Sequence, residues 1–226
     1  MSNDDAARRL SEIHTRIDHA AKVARRDSGD VTLIAVSKMH DADTIRPLIA
    51  AGQRTFGENR VQEASGKWPA MRDETPGIAL HLVGQLQSNK AREAVELFDA
   101  IHSLDRPSLV TALAKAIETT GKRPDLFIQV DIGDEPQKGG CAVADLPALL
   151  TEARAADLPV VGLMCVPPAG LLAAPYFALL AKIGRDHGID RLSMGMSDDF
   201  DLAVTLGATH IRVGTALFGA RQDPAA

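Results

Sequence analysis

Residues 31–38 read VTLIAVSK, a nearly unbroken apolar run that stops at a lysine, Lys38. A run without alternating polar positions belongs to a strand covered on both faces, as in a parallel sheet flanked by helices. Seven more short runs follow it: RTFG (54–57), IALHLVG (78–84), AIHSL (100–104), DLFIQVDI (125–132), PVVGLMCV (159–166), DRLSMG (190–195) and THIRVG (209–214). Their starts recur about every 25 residues, the length of one strand plus one crossover helix. Helical windows lie between them, at 43–51, 88–98, 107–120, 144–156, 171–187 and 198–206. An open doubly wound sheet usually stops at about five or six strands, so eight units predict a single α/β domain of the (β/α)8 barrel type.

Ahead of the first strand, Leu10, Ile13, Ile17 and the alanines 20, 21 and 24 recur at helical spacing among charged residues. That pattern predicts an extra amphipathic helix over residues 4–26, stopped by Ser28-Gly29-Asp30. No linker or low-complexity tract interrupts the chain, so one domain over residues 1–226 is expected.

Composition removes whole classes of function. At 226 residues and 45% hydrophobic, the chain can bury a core without disulfides or metal. A net charge of −5 attracts no phosphates, which argues against a nucleic-acid or anionic-membrane partner. There is no apolar run of about 18 residues, and the polar start MSNDDAARRL is unlike a secretory signal. Cys141 and Cys165 are far apart and form no CxxC pair, which fits a reducing, cytoplasmic setting.

In such barrels chemistry sits at the C-terminal ends of the strands. Lys38 leaves a buried strand there, where partial loss of hydration frees an amine to attack a carbonyl; a solvated strand-end lysine is the plainer alternative. Asn59, in FGEN, offers a donor and an acceptor at the rim, or else simply caps a helix. His81 lies inside the third run and reads as a core histidine. Strand seven ends Ser193-Met194-Gly195-Met196-Ser197 and strand eight ends Arg212-Val213-Gly214-Thr215. Barrels often hold phosphate in these two loops on backbone N–H groups, with Gly214 permitting close approach and Ser197 and Thr215 adding hydroxyls. Arg212 alternates with Ile211 and Val213 and so points to the opposite face, toward a ligand or a carboxylate such as Asp131. A lysine amine facing a phosphate cradle, with an arginine between, suits pyridoxal phosphate.

The stretches AVSKMH, AGQRTFGENRVQEA, HLVGQLQSNKAR, QVDIGDEPQKGGC, GLMCVPP and LSMGMSDDFDLAVTLGATHIRVGTALFGAR resemble the pyridoxal phosphate homeostasis protein family, in the same order over residues 30–221. That family is in turn similar to the N-terminal barrel of alanine racemases. The resemblance implies a cytoplasmic protein that holds pyridoxal phosphate as a Schiff base on Lys38 and serves vitamin B6 homeostasis without established catalytic turnover. It places Asn59 beside the ring and Arg212 at the pyridine nitrogen. Ser197, Gly214 and Thr215 take the phosphate, with Ser193 a further candidate for that group. The partners it implies are the cofactor and apo-enzymes that receive it, and the absence of a second domain leans toward a monomer. The chain departs from the family at Asp41, Arg60 and Asp131, where proline, tyrosine and asparagine are usual. Two other functions fit the same parts: an amino-acid racemase-like enzyme and a barrel enzyme acting on a sugar phosphate. Racemisation needs a proton carrier on each face of the substrate. The chain runs only about twelve residues beyond Gly214, and its sole tyrosine, Tyr176, falls in an apolar helix.

Overall fold

The computed structural model describes residues 1–219; residues 220–226, including the end of the last family-like stretch, lie outside the described residues. Eight parallel strands close on themselves: β1 (Thr32–Val36), β2 (Thr55–Glu58), β3 (Ala79–Leu82), β4 (Ala100–Leu104), β5 (Asp125–Asp131), β7 (Val160–Met164), β8 (Arg191–Met196) and β9 (His210–Val213). The pairings β4–β5 and β1–β9 complete the ring. A two-residue strand, β6 (Cys141–Ala142), pairs only with the end of β5. The fold is thus the expected (β/α)8 barrel.

The N-terminal helix α1 (Asn3–Val23) starts where the Ser2 hydroxyl accepts the Asp5 N–H. It buries Ala6, Leu10, Ile13, Ile17, Ala20 and Ala21 along one stripe. The helix ends three residues before its expected limit because Arg25 takes a left-handed conformation, φ +54°. Arg26 then reaches across to the Ala208 carbonyl, 2.9 Å away, just ahead of β9.

Around the barrel run α2 (Ala42–Ala50), α3 (Val61–Glu74), α4 (Ala91–Leu97), α5 (Pro107–Thr120), α6 (Leu146–Ala155), α7 (Ala174–His187), α8 (Phe200–Thr205) and the single turn α9 (Thr215–Phe218). Helix α3 is hidden in the sequence by Gly66 and Pro69, both poor helix residues. It forms because Val61, Ala64, Trp68 and Met71 cover β2 and its neighbours. Asp41, at one of the departures from the family, caps α2 by accepting the Thr44 N–H at 2.9 Å.

Two apolar regions hold the fold together. The larger lies between the strands and the surrounding helices. The smaller, Ala100, Phe127 and Met164, fills part of the barrel interior. Gly162 on β7 is a fixed point of that interior: a Cβ there would come within 2.3 Å of the Phe127 ring and 2.7 Å of the Arg191 carbonyl. Gly162→Ala should therefore cost about 1–3 kcal/mol through overpacking against groups that cannot withdraw. Thermal unfolding should register this as a Tm lower by roughly 2–4 °C per kcal/mol; an unchanged Tm would show that Phe127 can move.

Candidate functional site

The site grows out of the seam where the first and last strands meet. Ala35 pairs with Val213, so Val36 lies beside Gly214 and Lys38 projects just beyond. A Cβ on Gly214 would lie only 3.3 Å from the Val36 carbonyl oxygen, so the seam is tightest at this glycine. On the other side of β1, Val36 pairs with Gly57 and the Ser37 N–H donates to the Gly57 carbonyl at 2.9 Å. That register carries Asn59, at the end of β2, to the other flank of Lys38. The strand order thus puts the turn carrying Lys38 between the end of β2, which leads into Asn59, and the end of β9, which leads into Gly214 and Thr215.

Beyond the end of β9 two backbone amides converge on one hydroxyl. The backbone N–H groups of Gly214 and Ala216 both point at the Ser197 hydroxyl oxygen, at 3.3 and 3.4 Å. Two amides converging on one oxygen, at the opening turn of α9, form the geometry that a phosphate oxygen would also satisfy. Ser197 is carried there by β8, and the turn behind it needs Gly195, whose φ of +91° and contact with Ala203 exclude a side chain. Thr215 is exposed at the same turn.

Arg212 stands beneath this rim, 5% exposed. Its guanidinium donates to the Ser193 hydroxyl at 2.7 Å and to the Cys165 carbonyl at 2.9 Å. Neither partner is charged, and among the described residues no carboxylate forms an ion pair with it. Asp131, the carboxylate partner considered from the sequence, instead accepts the Glu135 N–H at 2.9 Å. Burial pulls the Arg212 pKa down from its ordinary value, yet a guanidinium keeps its proton. A buried cation held only by neutral groups is electrostatically incomplete, and an acceptor from a ligand would complete it.

Ser193 lies inside the barrel, next to Arg212. It is fully buried, and its hydroxyl is engaged by Arg212 and by His102 Nδ1 at 2.9 Å. The residue supports Arg212 from below rather than adding to the rim donors around Ser197. The chain continues from His102 Nε2 to His81 Nδ1 at 3.0 Å. Arg212 occupies one lone pair of the Ser193 oxygen, which leaves that hydroxyl one proton and one lone pair for its contact with His102. His210 lies edge-on to Phe127 in the same interior, at 4.9 Å between ring centroids.

Burial keeps these histidines neutral. It lowers His81 to about 4 and His210 to about 3, and moves His102 in the same direction. Cys141 and Cys165 are pushed the other way, each to about 12, so neither thiol is a nucleophile. Beside Asn59, a cavity of about 490 Å³ is lined by Arg60, Gln85, Gln87 and Lys90. Gly84 lets it form, since a Cβ there would strike the Asn59 carbonyl at 2.3 Å. Tyr176 is partly buried against the outer core and lines a separate cavity with Asp131 and Val143. Among the described residues no cluster of histidine, cysteine and carboxylate side chains could hold a metal ion, and no helix is long and apolar enough to cross a membrane.

The fold is a parallel (β/α)8 barrel of the alanine racemase N-terminal type; the family model "Alanine racemase, N-terminal domain" matches residues 10–222. Within that class the chain belongs to the pyridoxal phosphate homeostasis protein family. It is 42% identical over 223 residues to the Pseudomonas aeruginosa protein of that name, covering 96% of both chains. The Escherichia coli K12 protein of the same name is 37% identical over 231 residues, with 97% of this chain and 98% of that one covered. Among solved structures, PipY of Synechococcus elongatus PCC7942 with PLP bound superposes with a TM-score of 0.83 at 42% identity, over 95% of this chain and 100% of that one. A Clostridium difficile alanine racemase, 12% identical, shares the fold at a TM-score of 0.69, and this chain covers 58% of its length.

The neutral histidines carry a pH signature. An unfolded histidine takes up a proton near pH 6.5, whereas His81 and His210 stay neutral in the fold down to about 4 and about 3. The unfolded chain therefore binds more protons below pH 6.5, and stability falls as the pH drops. Between about pH 6.5 and pH 5 the loss should approach about 1.4 kcal/mol per pH unit for each such histidine. Denaturant titrations should show His210→Phe with a shallower slope over this window than the parent protein; equal slopes would mean that His210 is not neutral in the fold.

Proposed function

We propose that this chain binds pyridoxal phosphate at the barrel mouth and serves its homeostasis as a carrier rather than as a catalyst of substrate turnover. The observation that carries this reading is the convergence of the Gly214 and Ala216 N–H groups on the Ser197 oxygen, across the β1–β9 seam from Lys38. The donor set fits the group: hydroxyl and amide donors for a phosphate, a primary amine at reach, and a carboxylate-free arginine below. When bound, the cofactor supplies an aldehyde that takes an amine reversibly as a Schiff base. Lys38 provides that amine. Ser197, Gly214, Ala216 and Thr215 hold the phosphate, while Asn59 borders the ring. Arg212 faces the ring nitrogen as a donor only, so it cannot place a negative charge there and leaves the ring a weak electron sink.

A carrier needs reversible capture, and a Schiff base on Lys38 would supply it. A racemase would need a proton carrier on the second face of its substrate. Tyr176, the chain's only tyrosine, packs against the outer core and lines the cavity beside Asp131 instead. The reading includes a cytoplasmic location, a monomeric state and transfer of the cofactor to apo-enzymes.

Two measurements test it. Replacing Gly214 with valine puts side-chain atoms against the Val36 carbonyl and blocks the amide donors. Affinity for pyridoxal phosphate should fall about tenfold or more, and that for unphosphorylated pyridoxal by far less. Equal losses for both ligands would mean the glycine acts through folding. Incubating the loaded protein with L- and D-amino acids in deuterated water should give little exchange at Cα, while the same sample reactivates an apo-enzyme. Turnover at ordinary enzymatic rates, roughly 1–10³ s⁻¹, would overturn the carrier reading and favour a racemase-like enzyme.

A further inference from the structure

Lys38 sits in a turn that is held from behind with unusual care. The Lys67 ammonium, on α3, donates to the Ser37 carbonyl at 3.0 Å and to the His40 carbonyl at 2.9 Å, clasping the turn on both sides of the lysine. The same ammonium lies 2.8 Å from Glu58 Oε1 and 3.1 Å from Glu63 Oε1. Three protons thus face four acceptors in a nearly closed space, with Lys67 12% and Glu58 0% exposed. Glu58 is anchored in turn by the Ser37 hydroxyl at 2.6 Å and the Trp68 indole N–H at 3.0 Å. Glu63 also accepts the N–H of Met39, which adopts φ +65°, a left-handed conformation that a methionine seldom takes. On the far side the His40 ring stacks on Phe218 of α9, 4.5 Å between centroids.

A buried ion pair rarely repays its desolvation in stability, so this one calls for a different account. The strained Met39 conformation gives a similar hint, because such backbone persists only where its surroundings impose it. Outside the Glu58–Glu63–Lys67–Trp68 cluster itself, the hydrogen bonds of Lys67 and Glu63 end on Ser37, Met39 and His40, the residues that flank Lys38. We infer that Lys67, with Glu63, is a positioning pair for Lys38. It holds the turn so that the neutral amine meets the aldehyde at a productive angle; the C=N bond then forms as the carbonyl oxygen leaves as water with the two amine protons, and the pair governs the rate of this condensation rather than affinity for the phosphate. The physical warrant is the large effective concentration gained by fixing a reacting group, which is lost when its backbone is free to move.

The inference rests on Lys38 being the tether. Rapid mixing of apo-protein with pyridoxal phosphate, followed by the visible absorbance of the lysine-bound form, reads the capture rate. Deoxypyridoxine phosphate, which lacks the aldehyde, reads non-covalent affinity separately. Lys67→Met should slow capture about tenfold or more and leave affinity for the analogue within about twofold. Lys67→Arg, which can still donate to both carbonyls, should restore capture to within about threefold of the parent rate. Glu63→Ala frees the Met39 N–H but keeps the buried Lys67–Glu58 pair, and should slow capture about threefold while raising hydrogen exchange at residues 38–40. It also keeps the test open should Lys67→Met fail to fold. Parent-like capture in either Lys67→Met or Glu63→Ala, or capture and analogue affinity falling together, would overturn the inference. Failure of Lys38 to form the bound species in the parent protein would instead remove the reading of the site itself.

Discussion

Closure of the barrel is the constraint on which everything else depends. Eight parallel strands leave two open edges until β1 pairs with β9, and that pairing joins the two ends of the sequence. The register is set by Thr32 against His210 and Ala35 against Val213, which brings the Lys38 turn beside Gly214. A slip of one residue would turn Arg212 out of the interior and Val213 into it. The N-terminal helix reinforces the seam: Arg9 donates to the Leu217 carbonyl of α9 at 3.1 Å, and Arg26 to the Ala208 carbonyl before β9. The extra helix is therefore a brace for the turn that carries the anion donors.

Two buried polar systems meet at this seam, and each trades stability for placement. In the interior, Arg212, Ser193, His102 and His81 form one buried hydrogen-bonded chain. Its members other than the arginine are neutral, and no carboxylate among the described residues hydrogen-bonds to the guanidinium. Behind β1, Glu58, Lys67 and Glu63 hold the lysine turn. An apolar core of equal volume would be at least as stable in both places. What the polar groups add is a fixed direction for the turn that carries Lys38 and for the Arg212 guanidinium.

Much of this was legible in the sequence, for reasons that are local. The recurrence of short apolar runs gave the strand count, because each βα unit must span the same barrel wall. Lys38, Ser197, Gly214 and Thr215 stood out because strand ends are where a barrel exposes chemistry, and Arg212 because strand alternation turned it inward. The rest depends on contacts between distant segments. Glu58 closes the second strand in FGEN and carries no visible sign that its carboxylate is fully buried. Glu63 and Lys67, four residues apart on α3, look like an ordinary surface pair until the helix packs against β2. The family resemblance groups Ser193 with Ser197, whereas β8 is irregular between Ser193 and Met196, with Gly195 at φ +91°, and this break separates the buried Ser193 from Ser197 beyond the strand end. The spacing Glu58, Glu63, Lys67, Trp68 was the available signal, and Gly66 and Pro69 obscured the helix that displays it.

The proposed role of Lys38 as the amine that takes the cofactor has a direct chemical test: reduction of the pyridoxal phosphate-loaded protein with borohydride, followed by mass-spectrometric mapping of the modified peptide. A single phosphopyridoxyl adduct is expected, on the peptide carrying Lys38. An adduct of equal yield on Lys67, Lys90 or Lys138, or none on Lys38, would contradict it.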